Sequence, residues 1–337
     1  MTVLIHSDEV TSLYFEQDGI TVTGKHESIV VNSGTVNIED IYENDVVTGV
    51  TTKRGADKGL NLGAGSYDPE NGAFIDCIDF TISSGATLTH GTAMGTGASN
   101  KNGIVFIGCL RKFTNEGTVN VDELGYEGGD PFNSGSGQAD NGLGPGGGEG
   151  GYRYSPYNGG AGGSSYGSSD IPLTTWSHLY GSGGGGGVRG ATATAPGGAG
   201  GGGGHAASGS AGENNYAAAS VVIGNAYDGG WGGGAVRIYA QIVDNSSGTI
   251  SADGEYPQSD CADQHSQPGS GAGGTVYIAT KGIATLGTDN VTAVGGASWP
   301  RCGVAPNEYC TAGGAGSVGR IHVEGDYTGS TSSPAIA

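Results

Sequence analysis

Apolar and polar positions alternate in short runs along most of the chain. Gly19-Ile20-Thr21-Val22-Thr23 alternates, Ser28-Ile29-Val30-Val31 follows, and Ser33-Gly34-Thr35-Val36-Asn37-Ile38 resumes the pattern after a turn. Residues 48–65 read as a polar loop carrying Lys53, Arg54 and Lys58, and 80–89 as a strand, a Ser-Gly turn and a second strand. A period of two, carried by β-branched residues and punctuated by Gly, Ser and Asn, is the mark of half-buried strands. No stretch combines a 3.6-residue period with capping residues, so very little helix is expected.

One strand pattern repeats. Gly103-Ile104-Val105-Phe106-Ile107 leads to Phe113-Thr114-Asn115-Glu116-Gly117-Thr118-Val119-Asn120-Val121. The same order recurs at 234–240 with 245–252 and at 274–279 with 290–296, and a truncated copy occupies 319–323. Equivalent positions 105, 236, 276 and 321 are separated by 131, 40 and 45 residues. Self-similarity at this period predicts one supersecondary unit used several times.

The long first interval is filled by glycine. The chain holds 72 glycines in 337 residues, 13 within 1–100 and 59 within 101–337. This shift divides it into a β-rich N-terminal attachment segment, 1–100, and a glycine-rich β-repeat domain, 101–337. Seven tracts stand out: 146–151, 159–163, 181–187, 197–204, 229–234, 271–274 and 313–316. Collagen is excluded, because the glycines keep no three-residue register and there are only 11 prolines. Ordering glycine costs more backbone entropy than ordering any other residue, so such tracts are ordinarily linkers. Here they run directly into alternating strands. Without side chains, extended three-fold segments can approach closely enough to pair their N–H and C=O groups with neighbours. The expected fold is therefore all-β, with short-strand repeats in a β-solenoid or sandwich-like arrangement, packed polyglycine-II-type glycine tracts and very little helix.

Charge narrows the function. With 33 Asp+Glu against 13 Lys+Arg the net charge is −20, which disfavours nucleic acid and an anionic membrane as partners. No run is long and apolar enough for membrane insertion. Residues 1–9 have neither a basic region nor an apolar run, so they do not read as a signal peptide. Synthesis in the host cytoplasm followed by release on lysis is the expectation, and it points to virion components.

The tracts separated by variable loops resemble the distal receptor-binding adhesins of T-even-like tail fibres. The strand repeats, with 83–89, 179–186 and 314–321, resemble glycine-rich structural proteins of tailed-phage and archaeal-virus genomes, over roughly residues 78–327. These resemblances imply a virion-surface structural protein (fibre, spike or capsid decoration), or alternatively an adhesin at a fibre tip that recognises a host glycan or outer-surface protein. The implied partners are other virion proteins, a host surface receptor or glycan, and further copies of the chain as a homotrimer.

Chemistry is sparse in the sequence. Gly163-Ser164-Ser165-Tyr166-Gly167 matches a nucleophile elbow but lacks the strand and helix that the motif needs. The seven histidines keep no ligand spacing, and the five cysteines form no C-x-x-C pair. No metal and no cofactor are expected. Cys302 and Cys310 flank Gly303 and Pro306, a loop able to bring them together. A glycan depolymerase is the enzymatic alternative, with Asp122 and Glu123, or Asp253 and Glu255, as candidate carboxylates; a non-enzymatic protein is favoured. Binding points to aromatics between the tracts. Tyr152, Arg153, Tyr154 and Tyr157 form one candidate receptor-binding cluster, and Trp176, His178 and Tyr180, alternating along 174–180, form another. Trp231, inside a tract, reads instead as a cap on the glycine packing.

Overall fold

Along 79–82 and 86–90, buried positions alternate with partly exposed ones. The computed structural model describes residues 29–38, 77–91, 93, 103–132, 137–152, 158–166, 178–188, 198–214, 226–257, 266–298, 311–331 and 334–336, together with the backbone of short strand segments at 2–7, 15–17, 20–22, 27–28, 42–44, 51–53 and 74–76. The described part is nearly all strand with essentially no helix. The early strands are β1 (Thr2–Ser7), β2 (Phe15–Gln17), β3 (Ile20–Val22), β4 (Glu27–Asn37), β5 (Tyr42–Asn44) and β6 (Thr51–Lys53). Four long strands, each followed by a short one, come next: β7 (Phe74–Ile82) with β8 (Ala86–Thr89), β9 (Ile104–Asn115) with β10 (Thr118–Asn120), β11 (Ala235–Asp244) with β12 (Thr249–Ser251), and β13 (Thr275–Thr288) with β14 (Val291–Thr292). β15 (Arg320–Ser330) ends the series.

Ten of these strands form one parallel path, β14-β12-β10-β8-β4-β7-β9-β11-β13-β15, which curls until β14 and β15 touch and nearly closes into a barrel. Among the described strands, antiparallel pairing is confined to β1 on β4 and to the pairs β2–β3 and β5–β6. β6 falls within the stretch read as a polar loop; its Thr-Thr-Lys sequence pairs with β5. The two runs read separately at 28–31 and 33–38 fall on the single strand β4, which ends at Asn37. Its first half pairs with β7 and its second with β8, and Gly34, at φ 72°, lies where one half gives way to the other. The shift in glycine content near residue 100 does not interrupt the sheet, since β7 pairs with β9 and β8 with β10.

The core is built from rows of inward side chains at matching register. Phe80, Phe113, Val243 and Ala284 make one row across the long strands. Val36, Leu88, Val119, Ile250 and Val291 make the facing row across β4 and the short strands. The turns between long and short strands are held by buried asparagines. Asn115 Nδ2 donates to Asn245 Oδ1 at 2.7 Å and to Thr249 O at 3.0 Å, and Asn245 Nδ2 donates to Leu286 O at 3.2 Å. The recurring Gly-Thr follows from crowding at these turns: a Cβ on Gly117 would run into the carbonyl of Ala86, and one on Gly248 into Asn115.

Register shifts recur at Cys77/Asp79, Ala240/Ile242 and Ala279/Ile283. Beyond them the long strands alternate between buried and open positions. Before them, β9, β11 and β13 are buried on both faces. The second face belongs to a separate apolar cluster, in which Ile104, Phe106, Tyr239, Tyr277 and Ala279 meet Tyr126, Leu179 and Tyr180 of the glycine-rich segments.

Candidate functional site

The glycine tract 181–187 has no side chains to pack apart from Ser182, so its backbone bonds define its surroundings. The N–H groups of Gly181, Gly184 and Gly187 donate to Gly233, Gly230 and Tyr227; those of Gly183 and Gly186 donate to Leu143 and Asp140; that of Gly185 donates to Gly201. The carbonyls accept in the same order. Gly181, Gly184 and Gly187 take N–H groups from Tyr126, Gly129 and Phe132, Gly183 and Gly186 from Gly148 and Gly151, and Ser182 and Gly185 from Ala272 and Gly269. These bonds are 2.8–3.2 Å long. Every third residue faces the same neighbour, and six segments surround the tract. A β-strand, with its period of two, faces only two neighbours in its sheet.

Tract 198–204 repeats the arrangement. Gly198, Gly201 and Gly204 donate to Tyr152, Glu149 and Gly146; Ala199 and Gly202 to Glu213 and Ser210; Gly200 and Gly203 to Gln267 and Ser270. A methyl group on Gly184, Gly185, Gly200 or Gly202 would land on a neighbouring backbone carbonyl. Glycine here serves close approach.

Between these tracts and the sheet lies a polar aromatic layer. Phe106, Arg237, Tyr277 and His322 stand side by side across β9, β11, β13 and β15. The buried Arg237 guanidinium lies 5.2–5.6 Å from the rings of Phe106, Tyr239 and Tyr277 and donates to Tyr239 Oη at 2.6 Å. Such cation–π contacts and a charge-assisted bond offset part of the cost of burying the cation. Tyr277 and His322 stack with centroids 5.3 Å apart. Sequence reasoning passed over Arg237 and Arg320. The available signal was a charged residue inside an otherwise apolar repeat, Gly-Ala-Val-Arg-Ile and Gly-Arg-Ile-His-Val.

Of the candidate receptor-binding residues, Tyr152, His178 and Tyr180 are described; Arg153, Tyr154, Tyr157 and Trp176 lie outside the described residues, as do Cys302 and Cys310. Tyr152 is partly exposed, and its hydroxyl donates to Glu149 Oε1 at 2.6 Å, beside Gln138 Nε2 at 3.1 Å. That bond lowers the Glu149 pKa and raises that of Tyr152. Tyr180 is fully buried, edge-on to Tyr126 at 6.0 Å, and burial raises its pKa. This corrects its reading as a contact residue, since its ring presents no surface to a ligand. His178 is half-buried, with its ring edge-on to Tyr166 at 5.9 Å and its carbonyl facing His205 Nε2 at 2.9 Å. Tyr152 joins tract 198–204 at Gly198, while His205, which meets His178, follows Gly204. The two therefore sit at opposite ends of that tract, roughly 20 Å apart at the ~3.1 Å rise of an extended three-fold chain.

Three of the four candidate carboxylates accept backbone N–H groups. Asp122 accepts the N–H of Asp253 at 2.7 Å, Asp253 that of Val294 at 2.6 Å, and Glu255 that of Trp231 at 2.8 Å. Each ties one segment to the next. Burial raises the pKa values of Asp253, Glu255 and Glu123. Among the described residues no group of three or more His, Cys, Asp or Glu is arranged to hold a metal ion.

No family model matches the chain, and neither the curated proteins nor the solved structures include a significant match to it.

His205 is the most perturbed histidine described. It is fully buried, with Nδ1 2.7 Å from Gly273 O and Nε2 2.9 Å from His178 O, under the ring of Tyr166 and beside Arg320. Burial first, and the Arg320 charge second, push its pKa down to about 4. A folded pKa below the unfolded value means that the neutral ring stabilises the fold. That stability is complete above pH ~6.5 and is lost as pH falls toward 4. The expected loss is about 3 kcal/mol. It is read as the difference in urea stability between wild type and His205→Phe across pH 4–7, because the raised carboxyl pKa values act in the opposite direction in both proteins.

Proposed function

We propose that the chain is a non-enzymatic structural protein of a virion surface, a fibre, spike or capsid decoration. In this reading the strands stack as a β-solenoid that carries a polyglycine-II-type bundle. The single observation behind it is the tract at 181–187, bonded to six neighbouring segments with a period of three. Polyglycine II packs by that rule, with three residues per turn and bonds only between chains. The solenoid reading draws on strand order: the long strands β7, β9, β11, β13 and β15 follow one another in parallel, and the short strands do likewise. A bundle whose polar groups are spent on backbone bonds offers a rigid body and little reactive chemistry. The use of Asp122, Asp253 and Glu255 as backbone acceptors favours a structural role over a depolymerase.

A second reading, an adhesin at a fibre tip, draws on Tyr152. Its partly exposed ring lies where tract 198–204 begins, with the oriented Glu149 carboxylate beside it and residues 153–157 next in sequence. Attachment to other virion proteins and homotrimer formation belong to the same proposal. The test is negative-stain imaging of purified particles carrying a tagged copy of the chain. Label along a fibre, spike or capsid exterior is expected. Label only at fibre tips favours the adhesin, and purified particles without the chain overturn both readings.

A further inference from the structure

Cys77 of β7 and Cys109 of β9 are direct partners on adjacent parallel strands, and both are fully buried in the core. Their Sγ atoms are 3.8 Å apart, in contact but not bonded. Adjacent strands lie ~4.8 Å apart, inside the Cα separation of roughly 4.4–6.8 Å that a disulfide tolerates. The 3.8 Å contact leaves the sulfurs about 1.8 Å beyond the ~2.05 Å length of a disulfide bond. The next position in the same row is Ala240 of β11, so a small side chain borders the pair.

We propose that Cys77 and Cys109 are an oxidation site: when the protein passes from a reducing to an oxidising compartment they close into a cross-strand disulfide that staples β7 to β9. The oxidant is a low-molecular-weight disulfide of the glutathione class. One cysteine, having lost its proton to solvent, attacks a glutathione sulfur and expels one glutathione thiolate. The second cysteine, likewise deprotonated, attacks the protein sulfur of the mixed disulfide and expels the other glutathione. The pair gives up two protons and two electrons, and the oxidant becomes two reduced thiols. Because both sulfurs are shielded from solvent, the first attack takes place while the β7–β9 pairing is locally open. The bond joins the glycine-poor and glycine-rich parts of the chain across residue 100. The inference is independent of the virion reading and needs only that the protein leave a reducing compartment.

The test uses the full chain, reduced and then incubated with oxidised glutathione in urea below the unfolding transition. Remaining thiols are alkylated and the digest is mapped by mass spectrometry. A crosslinked peptide joining the Cys77 and Cys109 segments is expected, with a thermal midpoint raised by roughly 5–10 °C over the reduced protein. Cys77→Ala and Cys109→Ala should lack both the link and the rise. Recovery of both cysteines alkylated, a stable glutathione adduct at either, or a link to Cys261, Cys302 or Cys310 overturns the proposal. The wild-type map decides the question even where a variant fails to fold.

Discussion

Gly202→Val is expected to abolish folding of the glycine-rich region. Gly202 donates to Ser210 and accepts from Gly163, and a Cβ there would overlap the carbonyl of Ala315 and crowd Gly316 N. All of these groups are backbone, which cannot swing aside as a flexible side chain would. Relieving the clash means separating Gly202 from its neighbours and leaving buried N–H and C=O groups unpaired, at about 1–3 kcal/mol each. Several such losses exceed about 5 kcal/mol and approach the whole stability of a typical domain. The comparison variant is Gly85→Ala. Gly85 needs φ +77°, yet nothing lies within 4 Å of a Cβ there, so only the left-handed backbone cost of about 1–2 kcal/mol applies. Soluble yield and urea unfolding followed by circular dichroism distinguish the two. An unchanged midpoint for Gly202→Val would show that the tracts are not packed against each other.

Phe113→Ala is expected to cost about 3–5 kcal/mol, whereas Tyr327→Ala, at the matching register position on β15, should cost within about 0.5 kcal/mol of nothing. Phe113 is fully buried and stacks on Phe80 with centroids 6.2 Å apart, with Val243 at its other side. Tyr327 follows Ala284 in register, but β15 ends the series and Tyr327 is 45 % exposed. Equal effects in chemical denaturation would mean that the row is covered beyond β15.

The strand repeats at 103–121, 234–252 and 274–296 were legible because each buries one face of its second half and so keeps a period of two. The fourth copy, read only at 319–323, extends to Ser330 as β15. Its later residues are exposed, and the contrast between apolar and polar positions fades there. Burial of Phe106, Arg237 and Tyr277 was not legible, since the cover beside them comes from glycine-rich segments whose few apolar residues, Tyr126, Leu179 and Tyr180, keep no period. Nor does the sequence assign neighbours among tracts that read alike; in the structure, 181–187 lies between segments headed or closed by residues such as Tyr126 and Leu143. Tyr180 read as a binding residue because it alternates with Trp176 and His178 beside a tract. Alternation does not say which side of the tract the core occupies. Asp122 and Asp253 likewise looked available for chemistry, because a carboxylate that caps the next segment's backbone leaves no trace in its own segment.

Amide hydrogen exchange of the glycine tracts tests the central claim most directly. In the folded protein the N–H groups of Gly184, Gly185, Gly200 and Gly203 are bonded to Gly230, Gly201, Gln267 and Ser270. They should exchange as slowly as Ile238 in β11, through global unfolding rather than local opening. Exchange of those glycines at the rate of an unstructured chain, while Ile238 stays protected, would contradict the account and make the tracts linkers.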